Sequence, residues 1–529
     1  DHEVTGSCHF LQAAGLNILV DCGMEQGNDV YENQELPIAA SDVDCILLTH
    51  AHIDHSGLIP LMYVNGFRGQ VYSTSATAQL CEIMLRDSAH IQMFEAEWRN
   101  RKAARSGGKL KEFVPLYDMD AAVNVCKQFV GCEYDRVYDI AEGIKIRFTD
   151  VGHLLGSASI EVWATEKTEN GDVTEKIVFS GDIGNINKPI IKDPKHVRDA
   201  DYVVMESTYG NRSHGGTPNY VEDLTDIFKR TFERGGNVVI PSFAVGRTQE
   251  LLYIIRKIKE DNLVGRDFDV YMDSPLAIEA TNIFIKNVES CFDDEAVELV
   301  RKGINPLSFP GLKYATTGDE SKQINFDPNP KVIISSSGMC EAGRIRHHLK
   351  HNLWRPECTI VFVGYQAVGT TGRIIVDGAE EIKLFGEPIQ IKAEIVQLKG
   401  SSGHADKDGL LCWINAFDTK PKKVFVVHGE DSVCDEFTEC LKEEYGYDAM
   451  APYTGGSYDL IADRVISEGV KERKTRRTTS TQRGKTVFDR LVAAGKRLMT
   501  VITHNEGGTN KDLAKFTDQI NALCDKWDR

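Results

Sequence analysis

A mostly apolar stretch over residues 43–49 runs straight into His50-Ala51-His52-Ile53-Asp54-His55, which packs four potential metal ligands into six residues. Such a strand must be buried, and its end must open onto a polar site. Strand periodicity puts His50, His52 and Asp54 on one side, and a turn at Asp54 swings His55 toward a second ion. Imidazole with carboxylate suits zinc, and thiolates are not required. A surface histidine cluster is the competing reading, but it does not explain why these ligands follow an apolar strand.

The surrounding pattern is α/β. Strands are expected over 17–20, 144–148, 159–163, 177–179 and 202–205, with a long helix over 77–102. From Tyr209 the chain reads as βαβ units. Helices are expected over 220–234, 247–259 and 342–351, and strands over 237–240, 269–272, 331–334 and 359–363. Strand character returns at 391–398 and 424–427. The tail opens with a basic stretch, Lys471 to Lys485, carrying seven basic residues against one acid, and continues with helices near 487–499 and 511–527. A solvated linker and an RNA-contacting arm are both open readings of the basic stretch. This organisation predicts a discontinuous first domain (1–208 and 389–463), an inserted α/β domain (209–388) and a linker with a helical extension (464–529). The chain starts at Asp1, without a methionine and directly before the strand-like His9-Phe10-Leu11, which predicts a further strand ahead of it in the native protein.

Composition narrows the function classes. Charged residues make up 26% of the 529, as expected for a soluble globular protein. No apolar run approaches a membrane span, and no membrane partner is expected. The 13 cysteines are odd in number and form no Cys-x-x-Cys pair, which argues against a disulfide framework or thiolate zinc site and for a reducing, cytoplasmic setting. The absence of a Gly-x-x-x-x-Gly-Lys-Ser/Thr loop removes support for an ATPase. A net charge of −18 argues against binding nucleic acid through bulk charge.

The His-x-His-x-Asp-His pattern resembles the signature of the metallo-β-lactamase fold. The resemblance implies further ligands at later strand ends, and Gly152-His153-Leu154, Ser180-Gly181-Asp182 and Val427-His428-Gly429 occupy such positions. One zinc would then take His50, His52 and His153; the other would take Asp54, His55 and His428; Asp182 would bridge them. Zinc is preferred over manganese or iron on ligand softness and on the resemblance. Two zinc ions, two carboxylates and one hydroxide leave a formal charge of about +1, which attracts an anionic phosphodiester even on an acidic protein. Asp21, after the strand over 17–20, resembles the first motif of the fold and would orient the ligand loop from behind.

An α/β domain inserted between Asp182 and His428 is similar to that of the β-CASP nucleases, and the resemblance runs from about Val4 to Tyr458. It is carried by Met205-Glu206-Ser207-Thr208-Tyr209-Gly210, Gly403-His404-Ala405-Asp406 and Val427-His428-Gly429-Glu430. The implied fold is an αββα metallo-β-lactamase sandwich with an inserted β-CASP domain. The implied activity is hydrolysis of single-stranded RNA, leaving 5′-phosphate and 3′-hydroxyl, endonucleolytic by default and 5′-to-3′ exonucleolytic as the alternative. Retention of His428 favours RNA over DNA by the same analogy. His404 would protonate the leaving alkoxide, with Glu206 holding it. The alternatives are that His404 caps a helix starting near Ala405 and that Glu206 pairs with a surface base. Asp54 could act as ligand, proton acceptor or both.

Substrate contacts are expected where turns precede helices. Ser335-Ser336-Ser337-Gly338 and Arg247 offer anion-binding groups at such turns, and the first is also readable as an ordinary helix cap. Gly400-Ser401-Ser402-Gly403 is a further candidate turn. Tyr365 is readable either as a base-stacking ring or as a core aromatic. A homodimer is compatible with the chain. Other classes are weaker. A small-ester hydrolase does not need Glu206 and His404; a catalytically silent RNA-binding or assembly subunit would have lost ligands that are all present; a flavodi-iron-type protein would carry a flavodoxin-like phosphate loop.

Overall fold

The computed structural model describes residues 2–25, 36–105, 113–169, 171–215, 219–398, 402–471 and 487–527. Two sheets face each other in the first domain. One has five strands in the order His9–Ala13, Leu16–Val20, Cys45–Leu47, Gln70–Thr74 and Phe129–Cys132. The other has seven, in the order Ala449–Met450, Lys423–Val427, Tyr202–Glu206, Gly171–Phe179, Ala158–Thr168, Ile144–Asp150 and Val137–Ala141. Side chains from both sheets, among them Ile18, Val20, Leu47, Phe148, Ile160 and Ile177, form one buried layer between them. The central strand Cys45–Leu47 is apolar throughout because both its faces are covered.

The chain leaves this sandwich after Glu206 and builds a six-stranded sheet in the order Leu312–Tyr314, Asp269–Asp273, Lys331–Ser335, Val238–Pro241, Thr359–Val363 and Glu394–Leu398. Every pairing in it is parallel, as βαβ units require. The last strand lies past residue 388: Glu394–Leu398 pairs with Thr359–Val363 and so extends the sheet of the insert. One apolar cluster continues from Ile46 and Leu80 through Leu154 and Phe292 to Ile240 and Met272, tying insert and sandwich together. The Ser75–Arg105 helix packs along the Pro275–Lys286 helix of the insert.

The basic stretch lies almost wholly outside the described residues, as does part of the Gly400–Gly403 turn. The tail helices are Val487–His504 and Asn510–Trp527. No described helix is long and apolar enough to cross a membrane. All 13 cysteines are free.

Candidate metal centre

The strand Cys45–Leu47 ends before the histidines, which corrects the periodicity argument. His50 and Ala51 are irregular, and His52 is the residue before a one-turn helix, Ile53–Ser56. That turn, not strand alternation, puts Asp54 and His55 in a second ligand group with His428, although the His55 ring stays 4.2 Å from that of His50. Gly23 permits it: a Cβ there would stand 1.6 Å from the Asp54 carbonyl oxygen.

Ligand atoms of His50, His52, His153 and Asp182 lie within 4.8 Å of one another, as do those of Asp54, His55 and His428. Asp182 joins the two groups. Its Oδ2 lies 3.4 Å from His50 Nε2 and 3.5 Å from His153 Nε2, while its Oδ1 lies 3.2 Å from His55 Nε2 and 3.5 Å from His428 Nε2.

The outward nitrogens of these four rings are tied back. His55 Nδ1 is 2.7 Å from Asp21 Oδ2, His428 Nδ1 2.8 Å from Ser7 Oγ, His153 Nδ1 3.2 Å from the Gly403 carbonyl oxygen, and His50 Nδ1 3.1 Å from Thr49 Oγ1. Holding Nδ1 in this way aims each Nε2 inward, as metal-ligating histidines require. Asp21 also accepts hydrogen bonds from Thr49 N (2.8 Å) and Thr49 Oγ1 (2.9 Å), bracing the start of the ligand run.

Burial, joined by repulsion from neighbouring imidazoles, pulls His50, His52 and His153 below the usual histidine range, and His428 to about 4. These rings are therefore neutral, with lone pairs available. For His55 burial acts the same way, but the Asp182 and Asp21 carboxylates outweigh it and hold it well above that range. Burial would raise Asp182, yet His428, His55 and His50 around it keep it well below the carboxylate range. His55 Nε2 and Asp182 Oδ1 are buried and find no hydrogen-bond partner among the described residues, although they face each other. A divalent cation would satisfy both, and five imidazoles with two carboxylates suit zinc.

His404 stands beside this cluster. Its Nδ1 is 3.1 Å from Glu206 Oε2 and 3.9 Å from Asp182 Oδ2. Burial lowers its pKa, but Glu206 and then Asp182 outweigh that and hold it up at about 9. Neither alternative expected for this pair is observed: Asp406 caps the Lys407–Ile414 helix, and Glu206 is buried rather than paired at the surface.

The expected substrate contacts are more mixed. Ser335 is the last residue of a strand, and its buried hydroxyl donates to the Asp273 carbonyl (2.8 Å), so it is not part of the turn. The following helix begins only at Ile345, so no helix N-terminus backs Ser336, Ser337 and Gly338. Arg247 does begin a helix, Arg247–Glu260, but forms an ion pair with Glu250 (2.6 Å). Tyr365 is 54% exposed and is not a core aromatic.

Sequence reasoning passed over Ser7 and Lys188. Lys188 is buried, donates to the His153 carbonyl oxygen (2.8 Å) and approaches Glu250 of the insert (3.5 Å). Nothing local in the sequence marks either residue.

A two-sheet sandwich with imidazole and carboxylate ligands gathered at its strand ends defines a metallo-β-lactamase-fold hydrolase. Comparison with known families agrees: residues 10–185 match the metallo-β-lactamase superfamily domain, 248–375 the β-CASP domain, and 388–452 the Zn-dependent metallo-hydrolase RNA specificity domain. Ribonuclease TTHA0252 of Thermus thermophilus is 35% identical over 430 residues, covering 81% of this chain and 91% of that protein. Transcription termination factor FttA is 32% identical in Methanosarcina mazei, covering 85% of this chain and 69% of that protein, and 29% identical in Methanocaldococcus jannaschii over the same shares. The chain belongs to the β-CASP ribonuclease family of metallo-hydrolases.

Proposed function

We propose that this chain is a zinc-dependent endoribonuclease that hydrolyses single-stranded RNA and leaves 5′-phosphate and 3′-hydroxyl ends. The observation that carries the reading is His404, held 3.1 Å from buried Glu206 at the edge of the ligand cluster. A sugar alkoxide is a poor leaving group, and a positioned acid that protonates it is worth roughly 10²–10⁴ in rate. His404 is that acid, and Glu206 orients it and keeps it protonated. His50, His52 and His153 would hold one zinc, Asp54, His55 and His428 the other, with Asp182 shared between them. When bound, the pair supplies Lewis acidity toward the phosphodiester and a nucleophile from water near neutral pH.

RNA lies between sandwich and insert in this reading. Arg247, Ser336, Ser337, Gly338 and Tyr365 are its candidate contacts on the insert. The match to an RNA specificity domain and the likeness to a named ribonuclease support the substrate class. Thirteen free cysteines support a reducing cytoplasm.

The test is cleavage of 5′-labelled single-stranded RNA with and without added zinc, beside His404→Ala and Asp182→Ala. Internal cuts that both substitutions abolish are expected. Release of labelled mononucleotide would replace the endonuclease with a 5′-to-3′ exonuclease. No cleavage by protein shown to contain zinc would overturn the proposal.

A further inference from the structure

The Ser75–Arg105 helix begins at the centre and ends far from it. Near its start, Thr77 Oγ1 donates to the carbonyl of Gly156 (2.8 Å), three residues beyond His153. At 1.5 Å per residue, Trp98 lies roughly 30 Å further along. The Pro275–Lys286 helix of the insert runs beside it in the opposite direction: Asn287 Nδ2 donates to Gln79 Oε1 (3.0 Å), and Glu279 faces Asp87. By that register Pro275 falls opposite Ile91. Ser274, the residue before Pro275, accepts a hydrogen bond from Ser336 Oγ (3.0 Å), so the Ser336–Gly338 turn opens at the same level.

Beyond that level the helix has an unusual face. Ile91, Phe94, Trp98 and Lys102 are spaced by three, four and four residues, which places them on one side. Ile91 is 42% exposed, Phe94 62% and Trp98 56%. Lys102 Nζ sits 5.0 Å from the centre of the Trp98 ring. From Trp98 to Arg105 there are four basic residues and no acid, in a chain with net charge −18. The two acids just before, Glu95 and Glu97, are paired with Arg99 (3.7 Å) and Arg101 (2.5 Å). Among the described residues, Lys102 and Arg105 have no carboxylate partner.

We infer that this face of the Ser75–Arg105 helix is a docking strip for single-stranded RNA, on which bases stack against Phe94 and Trp98 while Lys102 and Arg105 meet phosphates. The inference rests on RNA being the substrate and extends its path about 30 Å from the centre. Aromatic rings alternating with cations are the chemistry that grips unpaired nucleotides without reading sequence. An acidic protein could also meet these cations, but rings interleaved with cations along one face match the regular alternation of base and phosphate in a single strand.

The test is binding by fluorescence anisotropy to phosphorothioate oligouridylates, which resist cleavage, of about 6 and about 30 nucleotides. The wild type is expected to favour the longer RNA by about tenfold or more, and the double variant Trp98→Ala, Lys102→Glu to lose most of that preference. Trp98→Phe keeps a ring and is expected to retain it. An unaltered length preference in the double variant overturns the inference. So does a wild-type dimer in sedimentation that the double variant dissolves, because a second copy would then occupy the strip. Cleavage of ordinary RNA with zinc is scored separately. Strip-dependent binding without cutting sinks the ribonuclease reading alone, and cutting with strip-independent binding sinks this one alone.

Discussion

Glu206 Oε2 lies 3.1 Å from His404 Nδ1, although 198 residues separate them in the chain. Glu206 ends a central strand of the seven-stranded sheet, and its carboxylate is already fixed by the amides of Ile183 (2.5 Å) and Thr208 (3.3 Å). It therefore presents a rigid negative charge to a ring that arrives from the far side of the insert.

That arrangement sets a pH dependence. Burial pulls the pKa of His404 down, while Glu206 and Asp182 lift it to about 9. Cations at Asp182 would cancel its share, which leaves Glu206 to keep the ring protonated at neutral pH. A general acid works only below its pKa, so the rate should hold through neutral pH and fall as pH rises through that of His404. Glu206→Gln should move the falling limb to lower pH and cost roughly 10²-fold in kcat near pH 8, less near pH 6, with KM little altered. Profiles of kcat against pH for the two proteins check this; an unmoved limb would remove Glu206 from the role.

Asp182 supplies one oxygen to each half of the cluster, so its loss should be felt by both. Metal analysis should find about two zinc ions per wild-type chain and at most about one in Asp182→Ala. Because an ion bound only by the folded state stabilises it by mass action, a chelator should lower the wild-type Tm by several degrees and that of the variant much less. Equal zinc content in the two proteins would contradict a shared carboxylate.

The parts legible in the sequence were those fixed by contiguous residues or by strand ends. The run from His50 to His55 showed itself directly, and His153, Asp182 and His428 were sought after later strands because the metallo-β-lactamase resemblance implies ligands there. Strand alternation was expected to keep Asp54 with His50 and His52 and a turn to swing His55 round, yet Cys45–Leu47 stops early and a single helical turn carries both Asp54 and His55. Residues 394–398 read in the sequence only as a strand, and pairing with Thr359–Val363 places them in the sheet of the insert. Ser7 could not have been found, since its hydroxyl meets His428 across 421 residues. Ser335 looked like a turn residue because the apolar run stops at Ile334, but the strand carries on one residue further.

Asp21 acts on the centre without reaching it. With Nδ1 of His55 donating to its Oδ2, Nε2 is the nitrogen turned toward Asp182, where it would give its lone pair to a bound cation. In Asp21→Asn, Oδ1 can still accept from Thr49, but an amide hydrogen would meet Nδ1 and favour the other tautomer. Zinc affinity should fall about 10–100-fold. Competition with a chromogenic chelator measures it, and an affinity within about twofold of wild type would show that the tautomer is set elsewhere.

Buried Lys188 and Glu250 and half-buried Arg247 form a chain of charges between the two domains, and its first member holds the backbone of His153. Arg247 and Lys188 repel, so the carboxylate between them decides the balance. In Lys188→Met, Glu250 keeps Arg247, and the loss should be about 2 kcal/mol. In Glu250→Gln, buried Lys188 loses its carboxylate while the repulsion from Arg247 remains, and about 3–5 kcal/mol should be lost. Urea unfolding should therefore rank Glu250→Gln below Lys188→Met. The double variant should recover part of the difference, because removing the second cation removes the repulsion. The reverse ranking would mean that Lys188 contributes through its bond to the His153 carbonyl and not through the ion pair.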